Sequence, residues 1–361
     1  MKPFITIVAS IFVFGLVIFI HEFGHFITAK KSGVKVNEFS IGMGPLLFSR
    51  TKGDTQYSVR LLPIGGYCQM EGEDEDSDDE GSFTNASVWK RIAITVAGAV
   101  MNLILGFLIL GILTATGGSI ASRTVGKFYD DSATEASGLK INDKIIGING
   151  SHVFVAEDIF YEMMYVEDGK ADLEVIRDGE RITLKDVRFK TNWDEENQIN
   201  VIELDFAVYG VKKTVGTVIQ SSFLQAVSTT RMIIKSVIQM ITGTVPANSI
   251  SGPVGIISVI GDAAGQGLRS LLNILSYISI DLGVMNLLPI PALDGGRLLT
   301  LFIEAVTKKK LSRKWEIAIN IAGFVLLIGL MIFATYMGDA GDRGEVDVVP
   351  APDAADGFVG R

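Results

Sequence analysis

The chain has 361 residues, which is enough for two ordinary domains. Hydrophobic residues make up 48% of it, yet the formal net charge is -9, so apolar and acidic residues must be concentrated in different segments. The sequence has no basic stripe with interleaved aromatic residues, which argues against a nucleic-acid partner. The single cysteine, Cys68, cannot form an intrachain disulfide.

Four apolar runs approach or exceed the roughly 20 residues of helix that cross a hydrocarbon layer. They predict a polytopic α-helical membrane protein with four transmembrane helices, at residues 1–30, 92–117, 268–297 and 315–337. The first run is too long for the apolar part of a signal peptide, and no small-residue cleavage site follows it. A lipid bilayer is therefore an expected partner.

The loop at residues 31–91 is predicted to contain β structure. Apolar and polar residues alternate between glycines in VNEFSIGMGPLLFS and QYSVRLLPIGGY, a pattern that predicts β-hairpins. The loop then passes through the acidic block EGEDEDSDDE (71–80), whose composition is typical of a solvated, disordered linker.

Residues 120–192 contain short β-like runs around a helical stretch at 156–165, which predicts a compact polar α+β domain. Residues 193–267 contain a candidate amphipathic helix, Phe223–Ile241, and the turn-rich piece SISGPVGI. The acidic tail at 338–361 is polar and spaced by proline and glycine, so we expect it to be disordered.

Positive charges predict the orientation, because lysine and arginine are enriched in cytoplasmic loops. They follow the first run, precede the second and fill the short loop between the third and fourth, at Lys30, Lys31, Lys35, Lys90, Arg91, Lys308, Lys309, Lys310, Arg313 and Lys314. Both loops should therefore be cytoplasmic. The two termini and the 120–267 region should then lie on the opposite side.

The end of the first apolar run carries the motif HEFGH, residues 21–25, which holds two of the three histidines of the chain. On a helix, His21 and His25 project from one face, one turn apart, so both imidazoles can reach one tetrahedral zinc ion. Glu22 lies between them in sequence and can act as a general base on a metal-bound water. Ionisable residues are costly in an apolar segment, which favours a functional role over a chance cluster.

A catalytic zinc site needs a third protein ligand, and Asp294 in NLLPIPALDGGR is the stronger candidate. The first and third spans run in the same direction, and a rise of about 1.5 Å per residue places Asp294 at a depth similar to that of His21. Pro289 and Pro291 interrupt regular helix ahead of it. Such irregular backbone is tolerated in a membrane where it is buried or lines a wet cavity. His152, in the turn INGSHV on the far side, is expected to be an exposed loop residue.

HEFGH and MNLLPIPALDGGR together resemble the paired signatures of the site-2 protease family, the intramembrane zinc metalloproteases. The chain is similar to the bacterial branch that cleaves anti-sigma factors. FSIGMGPLLFS and YSVRLLPIGGY resemble its membrane-associated β-hairpin region, ASGLKINDKIIGINGSHV resembles the core of a PDZ domain, and SGPVGI resembles the turn after that domain. The resemblance covers most of residues 1–335. The chain has room for a single PDZ domain, where the best-known Gram-negative pattern has two.

The resemblance implies one Zn²⁺ per chain, held by His21, His25 and Asp294, with Glu22 as the catalytic base. It implies that Asn286 holds the substrate strand near the metal, although a helix-packing role for this asparagine stays open. An exposed edge of the YSVRLLPIGGY hairpin is a candidate for pairing with an unwound substrate strand. Further substrate-binding candidates are Pro289, Pro291, Gly65 and Gly66.

The resemblance also implies a zinc metalloendopeptidase that cleaves transmembrane segments of single-span membrane proteins in regulated intramembrane proteolysis, within a stress response. Pre-cleaved anti-sigma factors or signal-peptide remnants are the expected substrates. The protein would be a multi-pass protein of the bacterial cytoplasmic membrane. Its active site would lie near the cytoplasmic face, and an extracytoplasmic PDZ domain would act as a size filter.

Two other classes of protein are open at this point. A transporter can use intramembrane histidine and aspartate as an ion pathway, but four spans without an evident repeat argue against it. A non-catalytic membrane scaffold could present a PDZ domain, but it would have no need of Glu22 beside two histidines.

Overall fold

A computed structural model describes residues 2–73, 77–164, 166, 168–194, 199–243, 252–309, 313–341 and 358–359. Helices α1 to α9 are Lys2–Ser32, Val88–Thr116, Ala133–Ala136, Glu157–Met163, Val215–Thr242, Pro253–Gln266, Leu268–Met285, Asp294–Thr307 and Arg313–Gly341. Strands β1 to β11 are Val36–Lys52, Thr55–Met70, Ile120–Phe128, Lys144–Ile148, Ser151–His152, Lys170–Arg177, Glu180–Arg188, Lys190–Asp194, Ile199–Glu203, Phe206–Val211 and Phe358–Val359. The chain divides into two compact units, one formed by Met1–Ile109 and Met232–Gly344, the other by Leu110–Arg231 and Glu345–Arg361.

Among the described residues, three helices are long and apolar enough to cross a membrane, namely α1, α2 and α7. A shorter apolar stretch, Ile317–Phe333, lies within α9. The prediction of a membrane protein with long apolar helices and a β region is confirmed. The fourth span stays a prediction.

The third predicted span, residues 268–297, is not one continuous helix. α7 ends at Met285, and α8 begins at Asp294. Pro289 and Pro291 lie between them, and each removes a backbone donor and disfavours helical backbone in the residue before it. The break at Pro289 and Pro291 agrees with the irregular backbone predicted there, whereas a helix that continues to residue 297 does not, because Asp294 begins a new helix.

Glycines allow α2 to lie close to both α1 and α7. A Cβ built on Gly24 of α1 would overlap the backbone of Ala97 in α2, and one built on Gly283 of α7 would lie 3.0 Å from the carbonyl oxygen of Ala99. Helices in a membrane associate through such small-residue contacts, because lipid supplies no hydrophobic force between them. α1, α2 and α7 therefore pack closely together next to the site described below.

β1 and β2 form a sheet in which both strands are bent. The pairing joins residues 36–41 to 66–70, residues 38–41 to 56–59, and residues 46–52 to 55–60. Gly42 and Gly44 have positive φ values of 84° and 82°, which suit glycine and let β1 reverse. Among the residues that the structure describes, no strand pairs with the outer side of residues 66–70, so this stretch is an edge of the sheet.

The acidic block at residues 71–80 is bound to its neighbours in its described parts. Glu71 accepts hydrogen bonds from Asn37 Nδ2 at 2.7 Å and from Ser77 Oγ at 2.6 Å, and Asp79 pairs with Lys35 at 3.1 Å. The bonds from Ser77 and Asn37 hold the pKa of Glu71 below its usual range. The prediction of a disordered linker is therefore wrong for these residues; residues 74–76 lie outside the described part of the chain.

The second unit contains a sheet with the strand order β11-β10-β3-β4-β6-β7, and β5 pairs with β4. β10 pairs antiparallel with β3, so the sheet extends past the predicted domain boundary at residue 192. The apolar core beneath it includes Ile159 and Met163 of α4, which corresponds to the helix predicted at 156–165. The assignment of this α+β unit to the PDZ class stays a prediction.

Three further predictions differ from the structure. The amphipathic helix α5 is longer than Phe223–Ile241 at both ends. SGPVGI is not a turn throughout, because Pro253 begins α6 and fits the first helical turn, where its missing N–H has no partner to lose. The tail predicted to be disordered from residue 338 is helical to Gly341, and of the remainder only Phe358–Val359 is described, as a short strand beside β10.

Candidate metal centre

Three side chains from distant parts of the chain meet in the first unit. His21 Nε2 lies 3.1 Å from His25 Nε2 and 3.1 Å from Asp294 Oδ2, and His25 Nε2 lies 3.2 Å from the same carboxylate oxygen. Both histidines are buried, and Asp294 is partly buried. The structure thus brings together the three residues of the predicted ligand set.

α1 places the two histidines on one face, against the surface of α2 at Gly98. This glycine leaves room for the imidazoles, because a Cβ built there would lie 2.8 Å from Cε1 of both rings and closer still to His25 Nε2. Gly24, between the histidines, allows the backbones of α1 and α2 to approach at the same level. The imidazoles therefore fill the space that a side chain at residue 98 would take.

Asp294 reaches the histidines through the reversal of the chain between α7 and α8. Ala292 has a φ of 70°, a left-handed conformation, and Leu293 then precedes α8 as its N-cap residue. Gly295 and Gly296 carry no side chain where the preceding turn folds back on the helix. A Cβ on Gly296 would lie 2.6 Å from the carbonyl oxygen of Ile290. Asp294 is thus the first helical residue, a position that favours a negative charge.

The segment before Asp294 also holds three of the predicted substrate-binding residues. Asn286 is buried and is the C-cap residue of α7, where its N–H bonds to the carbonyl oxygen of Leu282 at 3.0 Å. Pro289 and Pro291 follow it in the irregular turn. The structure places these residues on the connection that leads to the metal centre, and their contact with a substrate stays a prediction.

The donor set fits zinc. His25 Nδ1 lies 2.8 Å from the carbonyl oxygen of Ile94, so Nδ1 carries the proton that this bond needs. In the neutral ring, His25 Nε2 then presents a lone pair towards His21 Nε2 and Asp294 Oδ2. Three such donors repel one another unless a cation lies between them. Ligands of a tetrahedral zinc with bonds of about 2.0–2.1 Å stand about 3.3 Å apart, close to the separations observed here.

Glu22 lies beside the edge of the β1–β2 sheet. Its carboxylate accepts a hydrogen bond from the backbone N–H of Cys68. A Cβ built on Gly66 would lie 3.8 Å from Glu22 Cγ and 2.7 Å from the carbonyl oxygen of Ser40. Residue 66 therefore places no side chain between the sheet edge and the Glu22 side chain. Gly65 has a φ of 93° and turns the chain into this edge. Of the two predicted glycines, Gly66 is therefore close to the candidate base, and Gly65 directly precedes it.

α8 is held by an ion pair near each end. Arg297, one turn after Asp294, donates to Glu73 from Nη1 and to the carbonyl oxygen of Glu73 from Nη2 at 3.1 Å, and its guanidinium lies 4.5 Å from the ring centre of Phe83. Glu304 accepts two hydrogen bonds from the buried Arg91, at 3.0 and 2.5 Å. These pairs fix the helix that carries the aspartate.

The remaining residues to compare with the predictions are the third histidine and two residues of α2. His152 is exposed, as predicted, but it lies in the short strand β5 of the second unit and not in a loop, with its ring edge-on to Phe154. Two residues of the site were not predicted, namely Gly98 and Asn102, and the amide nitrogen of Asn102 lies 3.3 Å from His21 Nδ1. The available signal was a small residue and a polar residue four apart in an otherwise apolar run.

The apolar helices, the cluster of two histidines and an aspartate, and the adjacent glutamate define a membrane metallopeptidase. The chain belongs to peptidase family M50, whose family profile matches residues 9–330. A candidate zinc metalloprotease of Clostridium acetobutylicum is 39% identical over 343 residues, which cover 92% of this chain and 96% of the relative. Zinc metalloprotease RasP of Bacillus licheniformis is 29% identical over 413 residues, covering 92% and 98%. The regulator of sigma-W protease RasP of Bacillus subtilis is 28% identical over 414 residues, covering 92% and 97%.

Family membership confirms the predictions of a hydrolase that acts on peptide bonds and of a zinc cofactor. The alternatives of a transporter and of a non-catalytic scaffold are wrong for the same reason.

Proposed function

We propose that the protein is an intramembrane endopeptidase that cleaves the transmembrane segment of single-span membrane proteins. Its zinc would be held by His21, His25 and Asp294. The observation that carries the proposal is the approach of their three donor atoms to within 3.2 Å of one another between apolar helices. Zinc, when bound, polarises a scissile carbonyl and increases the acidity of water.

Glu22 is the proposed general base. It removes a proton from the attacking water and returns it to the leaving amine. Its position supports the role, because it neighbours His21 in sequence and its carboxylate is held by the Cys68 N–H. That bond holds the carboxylate beside the sheet edge, where the proposed substrate strand would arrive.

Residues 66–70 are the proposed docking edge for the substrate. A transmembrane helix uses its backbone N–H and C=O groups in its own hydrogen bonds, so it must unwind before attack. An unpaired sheet edge replaces those bonds by β-addition. Gly66 keeps the edge clear beside Glu22, and we propose that Gly65, Asn286, Pro289 and Pro291 contact the same substrate strand.

One feature besides the three apolar helices supports a membrane setting. Large apolar side chains are exposed on the bent sheet, at Ile41, Met43, Leu46, Leu47, Phe48, Val59, Leu61 and Leu62. Such a patch on a soluble surface is unusual and marks contact with lipid or protein. We propose four spans in a bacterial cytoplasmic membrane, with the active site near the cytoplasmic face. The termini and the 120–211 unit, a PDZ-like filter, would be extracytoplasmic.

The name of one relative supports the proposed substrate class. The Bacillus subtilis protein is named for regulation of sigma-W. We propose that pre-cleaved anti-sigma factors, or comparable single-span remnants, are the substrates of this chain in a stress response.

The decisive experiment compares the wild type with Glu22→Gln on a single-span model substrate in proteoliposomes. We expect cleavage by the wild type and a loss of at least about 100-fold in the variant, because general-base catalysis contributes about 10²–10⁴-fold. Zinc content, measured by elemental analysis, should stay near one per chain in both. Equal cleavage by the two proteins would refute the role of Glu22. Cleavage outside the transmembrane segment would refute the intramembrane reaction.

Glu22→Gln also provides a trap for native substrates. In its native membrane the variant should retain uncleaved single-span fragments, which mass spectrometry can identify. The matched wild-type sample should lack them.

A further inference from the structure

Asn102 is completely buried in α2, and among the residues that the structure describes none forms a hydrogen bond with its Oδ1 atom. Its amide nitrogen lies 3.3 Å from His21 Nδ1. A buried amide with an unmatched oxygen costs about 1–3 kcal/mol, so its presence in an apolar helix calls for a compensating role. The contact with His21 is the one that suggests which role.

The tautomer of His21 supplies the chemical argument. A neutral imidazole that binds a metal through Nε2 must carry its proton on Nδ1, and that proton needs an acceptor. With the amide nitrogen towards Nδ1, the proton would instead sit on Nε2, where the metal belongs. A half-turn of the amide exchanges nitrogen and oxygen with almost no change in shape. It brings Oδ1 to the Nδ1 proton and gives the unmatched oxygen its partner.

We propose that Asn102 is a positioning residue that accepts the Nδ1–H of His21 and thereby keeps Nε2 free for zinc. The inference rests on the proposed ligand set. His25 has the equivalent support from the backbone carbonyl of Ile94, at 2.8 Å from its Nδ1. The two ligands are thus oriented by different means, one by a main-chain acceptor and one by a side chain that mutation can remove.

A purely structural role for Asn102 makes a different prediction. Asn102 joins α2 to α7 through its backbone carbonyl, which accepts a hydrogen bond from Ser279 Oγ at 2.8 Å. Any residue at position 102 supplies that carbonyl. Helix packing therefore does not require the amide, whereas orientation of His21 does.

The test uses the full chain in detergent and measures zinc affinity by competition with a chelator. Asn102→Leu and Asn102→Ala remove the acceptor, and we expect zinc affinity to fall about 10–100-fold, as for other partners of metal-binding histidines. Asn102→Asp keeps an acceptor oxygen and should stay within about threefold of the wild type. Ser279→Ala, the matched control, breaks the α2–α7 bond without touching His21 and should also bind zinc normally.

A second readout reports geometry independently of activity. With Co²⁺ in place of zinc, the Leu and Ala variants should show an altered visible absorption spectrum, and the Asp and Ser279 variants should not. If Asn102→Leu fails to fold, the smaller Asn102→Ala carries the comparison. Wild-type zinc affinity in the Ala variant would overturn the inference, as would an equal loss in Ser279→Ala. A wild type without bound zinc would instead refute the proposed ligand set itself.

Discussion

Gly98→Ala is the sharpest test of how the metal centre is built. The added methyl would lie 2.8 Å from Cε1 of both His21 and His25, and closer still to His25 Nε2. Carbon atoms in contact stand about 3.5–4.0 Å apart, so the rings would have to move by about 0.7 Å or more. A metal site tolerates ligand displacements of about 0.2 Å. The methyl therefore displaces both imidazoles by several times what zinc allows.

We expect zinc affinity to fall about 10–100-fold, which corresponds to a loss of about 1.4–2.7 kcal/mol in binding free energy. Chelator competition on the detergent-solubilised protein measures it directly. Alanine is the better helix former by about 1 kcal/mol, so the substitution should not unfold α2 through backbone propensity. The loss of zinc would then report the steric conflict.

Gly111→Ala is the matched control on the same helix. Outside the helix's own backbone, the nearest described atom to a Cβ at Gly111 is Ser222 Oγ at 4.0 Å, so zinc affinity should be that of the wild type. If Gly98→Ala also bound one zinc with unchanged affinity, the imidazoles would not occupy the space described, and the reasoning about α1 and α2 would be refuted.

The remaining predictions concern the ligand, the metal and the support of α8. Asp294→Ala should lose stoichiometric zinc and activity while Asp281→Ala, on α7, keeps both; retained zinc in the former would reject Asp294 as a ligand. Removal of zinc from the wild type with a chelator should lower the thermal midpoint, because an ion at 100 times its Kd stabilises the folded state by about 2.7 kcal/mol. The midpoint of Asp294→Ala should not change when the chelator is added. A decrease equal to that of the wild type would show that the ion binds elsewhere. Glu304→Gln should destabilise the fold by about 3 kcal/mol, because it leaves the buried Arg91 without its counter-charge. The double replacement Arg91→Met with Glu304→Leu should restore most of the lost stability. Equal thermal midpoints for the wild type and the two variants would contradict this.

The histidine half of the site was predictable because its geometry is local. The spacing of His21 and His25 determines their common face once the segment is a helix, and apolar composition predicts the helix. Asp294 was assigned through an estimate of depth that assumed one continuous span. The chain instead breaks after Met285 and reaches the histidines through the start of a new helix. The residue was chosen correctly for proximity, but the path assumed for the backbone was wrong.

The parts that were missed depend on tertiary partners. Nothing in one apolar run shows that Gly98 and Asn102 face the histidines, because the relative rotation of α1 and α2 is set by packing. Alternation predicted the β segments, but not that residues 38–41 would have partners on both sides. Composition likewise suggested a disordered acidic block, although Glu71 and Asp79 meet specific donors.

The separation of the proposed zinc ligands along the chain has a consequence for biosynthesis. His21 and His25 leave the ribosome with the first helix, whereas Asp294 is made 269 residues after His25. Until α8 is inserted, two imidazoles alone face any ion, and a site with one ligand missing holds zinc weakly. The nascent chain therefore has no working peptidase during its own insertion beside other membrane segments. A stalled chain ending before Asp294 should retain no zinc after gel filtration, and the completed chain should retain one ion.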